Sequence, residues 1–259
     1  MIKHKIAKLL RLLGIDFRRI LSLRHLPKFI GNLIEFKRQG GKVDNISPIL
    51  EDYFASAGNI KSPYFLIDSL VAKEIFIRKP VKHFDIGSRI DGLVGQLATF
   101  MHLDVADIRP LKTDPELNFS FRQCDLMDEK VSSQVLERYP SISSVHAIEH
   151  FGLGRYGDNL NVSGHKIGVQ NICRLLEKGG FLYLGFPCGL DKTEFNSQRL
   201  LHPYEILNDL KMQGLNFIGA WYISKQSKIK KIEYEHELGD IKDGTIALIC
   251  QKNTELTNP

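Results

Sequence analysis

Between residues 64 and 250 the chain switches repeatedly between helical and strand-like hydrophobic patterns, and this alternation limits the possible folds more than any other feature. Residues 64–78 (YFLIDSLVAKEIFIR) have helical spacing and stop before Pro80. His83 to Ile86 reads as a short strand entering a glycine-containing turn. A helix is predicted over 92–101, strands over 103–108 (LDVADI) and 119–124 (FSFRQC), a helix over 131–138 and a strand over 144–148 (SVHAI). Residues 164–177 read as a helix stopped by Gly179-Gly180, and 181–186 (FLYLGF) as a strand ended by Pro187. Helix 203–212 and strands 216–223 and 245–250 complete the series. Such alternation predicts an α/β fold, doubly wound, with helices on both faces of a mostly parallel sheet. The polar stretch 224–244 holds no crossover helix, so the last strand should run antiparallel beside its predecessor at the sheet edge.

With 259 residues, 43% hydrophobic and 25% charged, the chain is too apolar for disorder and long enough for a substantial core. The net charge of +5 is unevenly spread. Residues 1–42 hold eleven Lys and Arg against Asp16 and Glu35, a net of +9, so the remaining residues carry −4. This head, residues 1–42, is predicted as a basic amphipathic helical extension, with residues 43–259 forming the α/β domain and Gly40-Gly41 the boundary. Ile2, Ile6, Leu9, Leu10, Leu13, Phe17, Ile20 and Leu21 recur mostly three or four apart, with most cations off that stripe; Gly14 divides it and Pro27 limits its continuation. Such a stripe packs on the domain, on a second subunit as in a homodimer, or on an anionic membrane surface. Few aromatics interrupt it, which disfavours nucleic acid as a partner.

No segment has the length of a membrane span, and Lys and Arg break the early apolar runs, so neither a span nor a cleavable leader is predicted. The four cysteines, at 124, 173, 188 and 250, form no C-x-x-C pair, so no disulfide framework or metal centre is expected. These features predict a cytoplasmic protein, peripheral at the inner membrane face if the head is interfacial.

Chemistry should collect at the strand ends. The first strand runs into Asp85-Ile86-Gly87-Ser88-Arg89-Ile90-Asp91-Gly92, where Gly87 and Gly92 permit a tight turn and close approach of a ligand. Asp107 closes the second strand, where an acid accepts hydrogen bonds from the ribose hydroxyls of an adenosine cofactor. Arg89 interrupts the glycine pattern that a pyrophosphate needs, which favours a cofactor without phosphates. Asp125 ends the third strand, where it either accepts from an adenine amino group beside Leu126 or caps the following helix. The fourth strand leads into a loop, 146–158, dense in Gly, His and charge. There His150 is the first candidate for a general base or else a packing residue, and Asp158 and His165 are secondary candidates.

At these residues the chain resembles the Rossmann-like S-adenosylmethionine-dependent methyltransferases. The matching pieces, in order, are HFDIGSRIDG, VADIRPL, CDLMD, AIEHFGLGRYGD and LEKGGFLYLGFP. DIGSRIDG with EHFGLGRYGD and the later FPCG further resembles a methyltransferase-like family associated with bacterial surface polysaccharide. The resemblance implies that Asp85, Gly87 and Gly92 form the turn at the methionine end of S-adenosylmethionine. It places Asp107 on the ribose, Asp125 and Leu126 at the adenine, and Glu149 and His150 along the cleft. Arg89 departs from the usual glycine, and either crowds the cofactor or binds its carboxylate. The implied reaction is O-methylation of a small-molecule or lipid-linked glycan. A binding or scaffolding protein that kept the fold without the chemistry is the alternative, and a nucleotide-sugar-modifying enzyme or oxidoreductase is the third.

Overall fold

The structure, a computed structural model, describes residues 17–53, 55–128 and 138–254. The chain divides into two compact units, Met1–Asn59 and Ile60–Pro259. In the first, α1 (Phe17–Ser22) passes through a 3₁₀ turn, Leu23–His25, into α2 (Leu26–Arg38). Pro27 does not limit the helical segment as expected. It sits in the first turn of α2, where an amide has no intrahelical acceptor to lose. The helix stops at Arg38, and the chain turns on Gly40 at φ +88°. The stripe positions from Ile2 to Leu13 lie outside the described residues.

The second unit contains α3 (Pro63–Arg78), β1 (Phe84–Ile86), the short α4 (Gly95–Leu97), β2 (Leu103–Asp107), β3 (Phe119–Gln123) and β4 (Tyr139–Val145). It continues through α5 (Gly164–Leu175), β5 (Leu176–Pro187), β6 (Lys192–Glu194), β7 (Gln198–Leu200), α6 (Pro203–Met212), β8 (Leu215–Ile223), β9 (Ile229–Ile232) and β10 (Thr245–Lys252). The predicted helix at 131–138 falls almost entirely outside the described residues.

One sheet has the strand order β3-β2-β1-β4-β5-β10-β8-β9. It is parallel from β3 to β5, and β10 pairs antiparallel with both β5 and β8. The expected antiparallel pair is present, but β10 is interior. The edge is β9, drawn from the polar 224–244 stretch, and antiparallel to β8. Two further boundaries differ from expectation. Helix α5 ends at Leu175, so Gly179-Gly180 lies within the β5 run, where Gly179 takes φ +74° and the pairing with β4 shifts register. The β6–β7 hairpin fills a stretch the sequence left unassigned.

Period-two alternation explains why the sheet is covered on both sides. Phe84, Ile86, Leu182, Leu184, Phe186, Ile246 and Leu248 pack with Ile172 of α5 and Leu207 of α6. Val105, Val145, Tyr183, Ala247 and Ile249 face the other way, with Ile67, Val71 and Ile75 of α3 and Leu97 of α4.

His83, just before β1, is fully buried between two hydroxyls, with Nδ1 2.7 Å from Ser141 Oγ and Nε2 2.9 Å from Ser143 Oγ. Burial disfavours the imidazolium and pushes its pKa down to about 3. Below the ordinary histidine range the unfolded chain takes a proton that the native one refuses, so this group's contribution falls as pH drops from about 6.5 toward 3. Asp68 and Asp85, raised by burial to about 6, act with the opposite sign, since their contribution falls as pH rises from about 4 to 6. The informative comparison is therefore with His83→Gln. In urea unfolding, wild type should lose roughly 2–3 kcal/mol more than His83→Gln between pH 7 and pH 4.5. Equal losses would place His83 in a hydrated site.

Candidate functional site

Strand order reverses between β1 and β4, and a cleft of about 650 Å³, its open mouth included, lies beyond the carboxyl ends of the parallel strands. Gly87 follows β1, Asp107 closes β2, Asp125 and Leu126 follow β3, and His146 and His150 follow β4; all of them line the cleft. Gly87 adopts φ +70° while its N–H donates to Ala106 O at 2.8 Å, and a Cβ there would lie 2.9 Å from Ala147 Cβ. Glycine is thus required by both conformation and space.

The bend is held from behind. Asp85 is fully buried, accepts from Ser88 N at 3.1 Å and Ser88 Oγ at 2.7 Å, and also accepts from Ser143 Oγ. Asp85, expected with Gly87 and Gly92 to form the cofactor turn as a cofactor-binding residue, does not line the cleft; it ties the turn after β1 to β4. Gly92 also stands behind the wall, where its missing side chain makes room for Asp68; a Cβ would sit 2.4 Å from Asp68 Oδ2. Arg89 does line the cleft, but its guanidinium turns to Asp91, with Nε 3.0 Å from Oδ1 and Nη2 2.7 Å from Oδ2.

Asp107 is not a free acceptor. Arg109 grips it with two guanidinium bonds, Nε to Oδ1 at 2.9 Å and Nη2 to Oδ2 at 2.6 Å, and lies 4.4 Å over the Tyr156 ring. Asp125 accepts from Met127 N at 2.8 Å, a local turn that fixes the Leu126 backbone. From α5, the buried Asn171 donates to Leu126 O at 2.8 Å.

After β4 the chain enters the left-handed region at His146, φ +56°, an uncommon conformation for a residue with a side chain. Its ring lies 4.1 Å from that of Tyr64, and its buried Nε2 has no hydrogen-bond partner among the described residues. Glu149 is 1% exposed and sits behind the wall rather than along it, correcting its placement in the cleft. Its Oε1 lies 3.5 Å from His146 Nδ1 and 3.7 Å from His150 Nε2, while Oε2 is buried without a partner among the described residues.

His150 Nδ1 lies 2.7 Å from Ser197 O, a contact that requires the proton on Nδ1 and leaves the neutral ring's lone pair on Nε2. Burial lowers its pKa, opposed by the Glu149 carboxylate, so the neutral base form dominates near pH 7. Asp158 also lines the cleft, yet its carboxylate is spent on backbone. It accepts from Gly152 N at 2.8 Å, Gly154 N at 3.1 Å and Tyr156 N at 3.1 Å, and so folds the loop that carries Tyr156.

His165 is not in this cleft. It lines a separate polar hollow with Asp191, Arg199 and His202, and burial lowers its pKa to about 4. Sequence reasoning missed His146, Arg109 and Tyr156 as site residues. His146 had a usable signal, since it stands immediately after a parallel strand, as Gly87 does after β1. Among the described residues no group of three or more His, Cys, Asp or Glu could hold a metal ion, and no helix is long and apolar enough to cross a membrane.

Known structures share this architecture at low identity. The [4+2]-cyclase SpnF superposes with a TM-score of 0.54 at 11% identity, covering 73% of this chain and 82% of its own. The N-methyltransferase NodS from Bradyrhizobium japonicum, solved with S-adenosylhomocysteine, gives 0.53 at 14%, covering 81% and 93%. The carbon methyltransferase CurJ gives 0.50 at 13%, covering 72% of this chain and 54% of its own. Strand order and the cleft at the switch point thus define a methyltransferase-like α/β fold. No curated protein matches this chain in sequence. More narrowly, the chain belongs to the family described as Caenorhabditis protein of unknown function, DUF268, whose model matches residues 111–249.

Proposed function

We propose that the protein is an S-adenosylmethionine-dependent methyltransferase acting on a hydroxyl, with a sugar or glycan intermediate as the acceptor class. The observation that carries this is the convergence of a glycine bend, two carboxylates at successive strand ends and a buried, tethered histidine on one cleft. The donor set fits the cofactor. Gly87 keeps the bend free of a side chain, Asp107 suits the ribose, Asp125 and Leu126 suit the adenine, and the orphaned His146 Nε2 marks a wall that lacks a polar partner. When bound, the cofactor supplies an activated methyl group. Within this chain, His150 Nε2 accepts the hydroxyl proton as the acceptor oxygen attacks, and Glu149 stabilises the imidazolium so formed. Ser197 O keeps the ring oriented throughout. The glycan class rests on the sequence resemblance and on the demand of a hydroxyl for a base.

Calorimetry with S-adenosylmethionine and S-adenosylhomocysteine tests the reading. Binding of both is expected, and no binding of either at millimolar concentration would overturn it. A second reading, a ligand-binding protein without transfer chemistry, is favoured by the Arg109 clamp that occupies both Asp107 oxygens. Binding without methyl transfer to any glycan acceptor would select it.

A further inference from the structure

Helix α2 and the turn before it carry an exposed apolar row. Leu23, Leu26, Ile30 and Ile34 recur three and four residues apart and are 57%, 39%, 46% and 61% exposed. The opposite side is occupied. Asn32 Nδ2 donates to Tyr53 Oη at 3.0 Å, Lys28 Nζ lies 5.1 Å from the Tyr53 ring centre, and the His25 ring lies 5.9 Å from it. At 100° per residue, Asn32 and Lys28 lie well over a quarter-turn from the row. Tyr53 therefore packs on the polar side, and the apolar side stays exposed among the described residues.

Charge identifies what covers it. Residues 17–42 contain Arg18, Arg19, Arg24, Lys28, Lys37, Arg38 and Lys42 against Glu35 alone. That glutamate is already held by Arg38, Nε to Oε2 at 2.8 Å. A second copy of this segment would bring like charge against like charge, whereas an anionic lipid surface neutralises the cations and buries the row. We infer that the first unit docks on an anionic membrane surface, with Leu23, Leu26, Ile30 and Ile34 in the interface and the flanking cations among lipid phosphates. Among the described residues no helix is long and apolar enough to cross a membrane, and the inferred attachment is peripheral and reversible by salt.

Co-sedimentation of the full chain with phosphatidylcholine vesicles, with and without phosphatidylglycerol, tests this. Binding should need phosphatidylglycerol and weaken at high salt. Ile30→Ser with Ile34→Ser should reduce it at least about tenfold. Arg24→Gln with Lys37→Gln, which leaves the apolar row intact, should cost about fivefold for each cation removed. The second pair keeps the test valid if the first fails to fold, as judged by circular dichroism. Equal affinity for neutral and anionic vesicles, or unchanged binding by correctly folded variants, overturns the proposal. So does absence of vesicle binding with a dimer, seen in sedimentation velocity, that Ile30→Ser and Ile34→Ser dissociate; the occupant is then a second copy.

Discussion

Replacing His150 by glutamine is expected to lower kcat for methyl transfer by about 10²- to 10⁴-fold, with S-adenosylhomocysteine affinity changed little. Glutamine can still donate to Ser197 O but cannot take the proton that Nε2 accepts. Because burial holds the His150 pKa below its ordinary value, the acid limb of kcat/KM should have its midpoint below about 6.5. Glu149 raises that pKa, so Glu149→Gln should move the midpoint further down and slow the reaction. A purely packing role for His150 predicts the reverse: loss of thermal stability and ligand affinity, with no shift of the pH profile in Glu149→Gln. Rates of the two variants across pH 5 to 8, read beside calorimetric affinities, separate the possibilities.

Asp107→Ala should weaken binding of S-adenosylhomocysteine by about 10²-fold or more, through loss of a charged acceptor for the ribose hydroxyls. The Arg109 clamp makes the test sharper. If the guanidinium competes with the ribose for Asp107, Arg109→Ala should tighten binding; if both share the carboxylate, its loss should weaken binding modestly. An Asp107→Ala protein that binds the ligand as well as wild type would reduce this carboxylate to an anchor for Arg109 and Tyr156. Calorimetry on the three proteins distinguishes these results.

The parallel half of the sheet was legible because strands buried on both faces are largely apolar, as in FLYLGF. β4 was only half visible. The expected strand began only at Ser144 and left Tyr139 to Ser143 unassigned, yet Ser141, Ser143 and Ser144 are buried partners of His83, Asp85 and the Ile86 carbonyl. A strand whose hydroxyls satisfy a histidine and an aspartate carries no hydrophobic signature. The same network explains Asp85. Its position at a strand end marked it as important, but sequence spacing does not distinguish a carboxylate facing a ligand from one tying down the turn behind it. His165 has another explanation, because proximity in the chain to the 146–158 loop did not bring it into the cleft, and it lines the separate hollow with Arg199 and His202 instead. The backbone twist at His146 depends on what surrounds it and leaves no trace in residue type.

The placement of β10 has a consequence for biogenesis. While a ribosome has yet to release residues 245–252, neither β5 nor β8 can gain its interior neighbour, so two long rows of amides and carbonyls stand open in the nascent chain. Frameshifts or premature stops upstream of Thr245 would leave a gap in the middle of the sheet rather than a shortened tail. Such products should seek strands from other molecules and precipitate or be degraded.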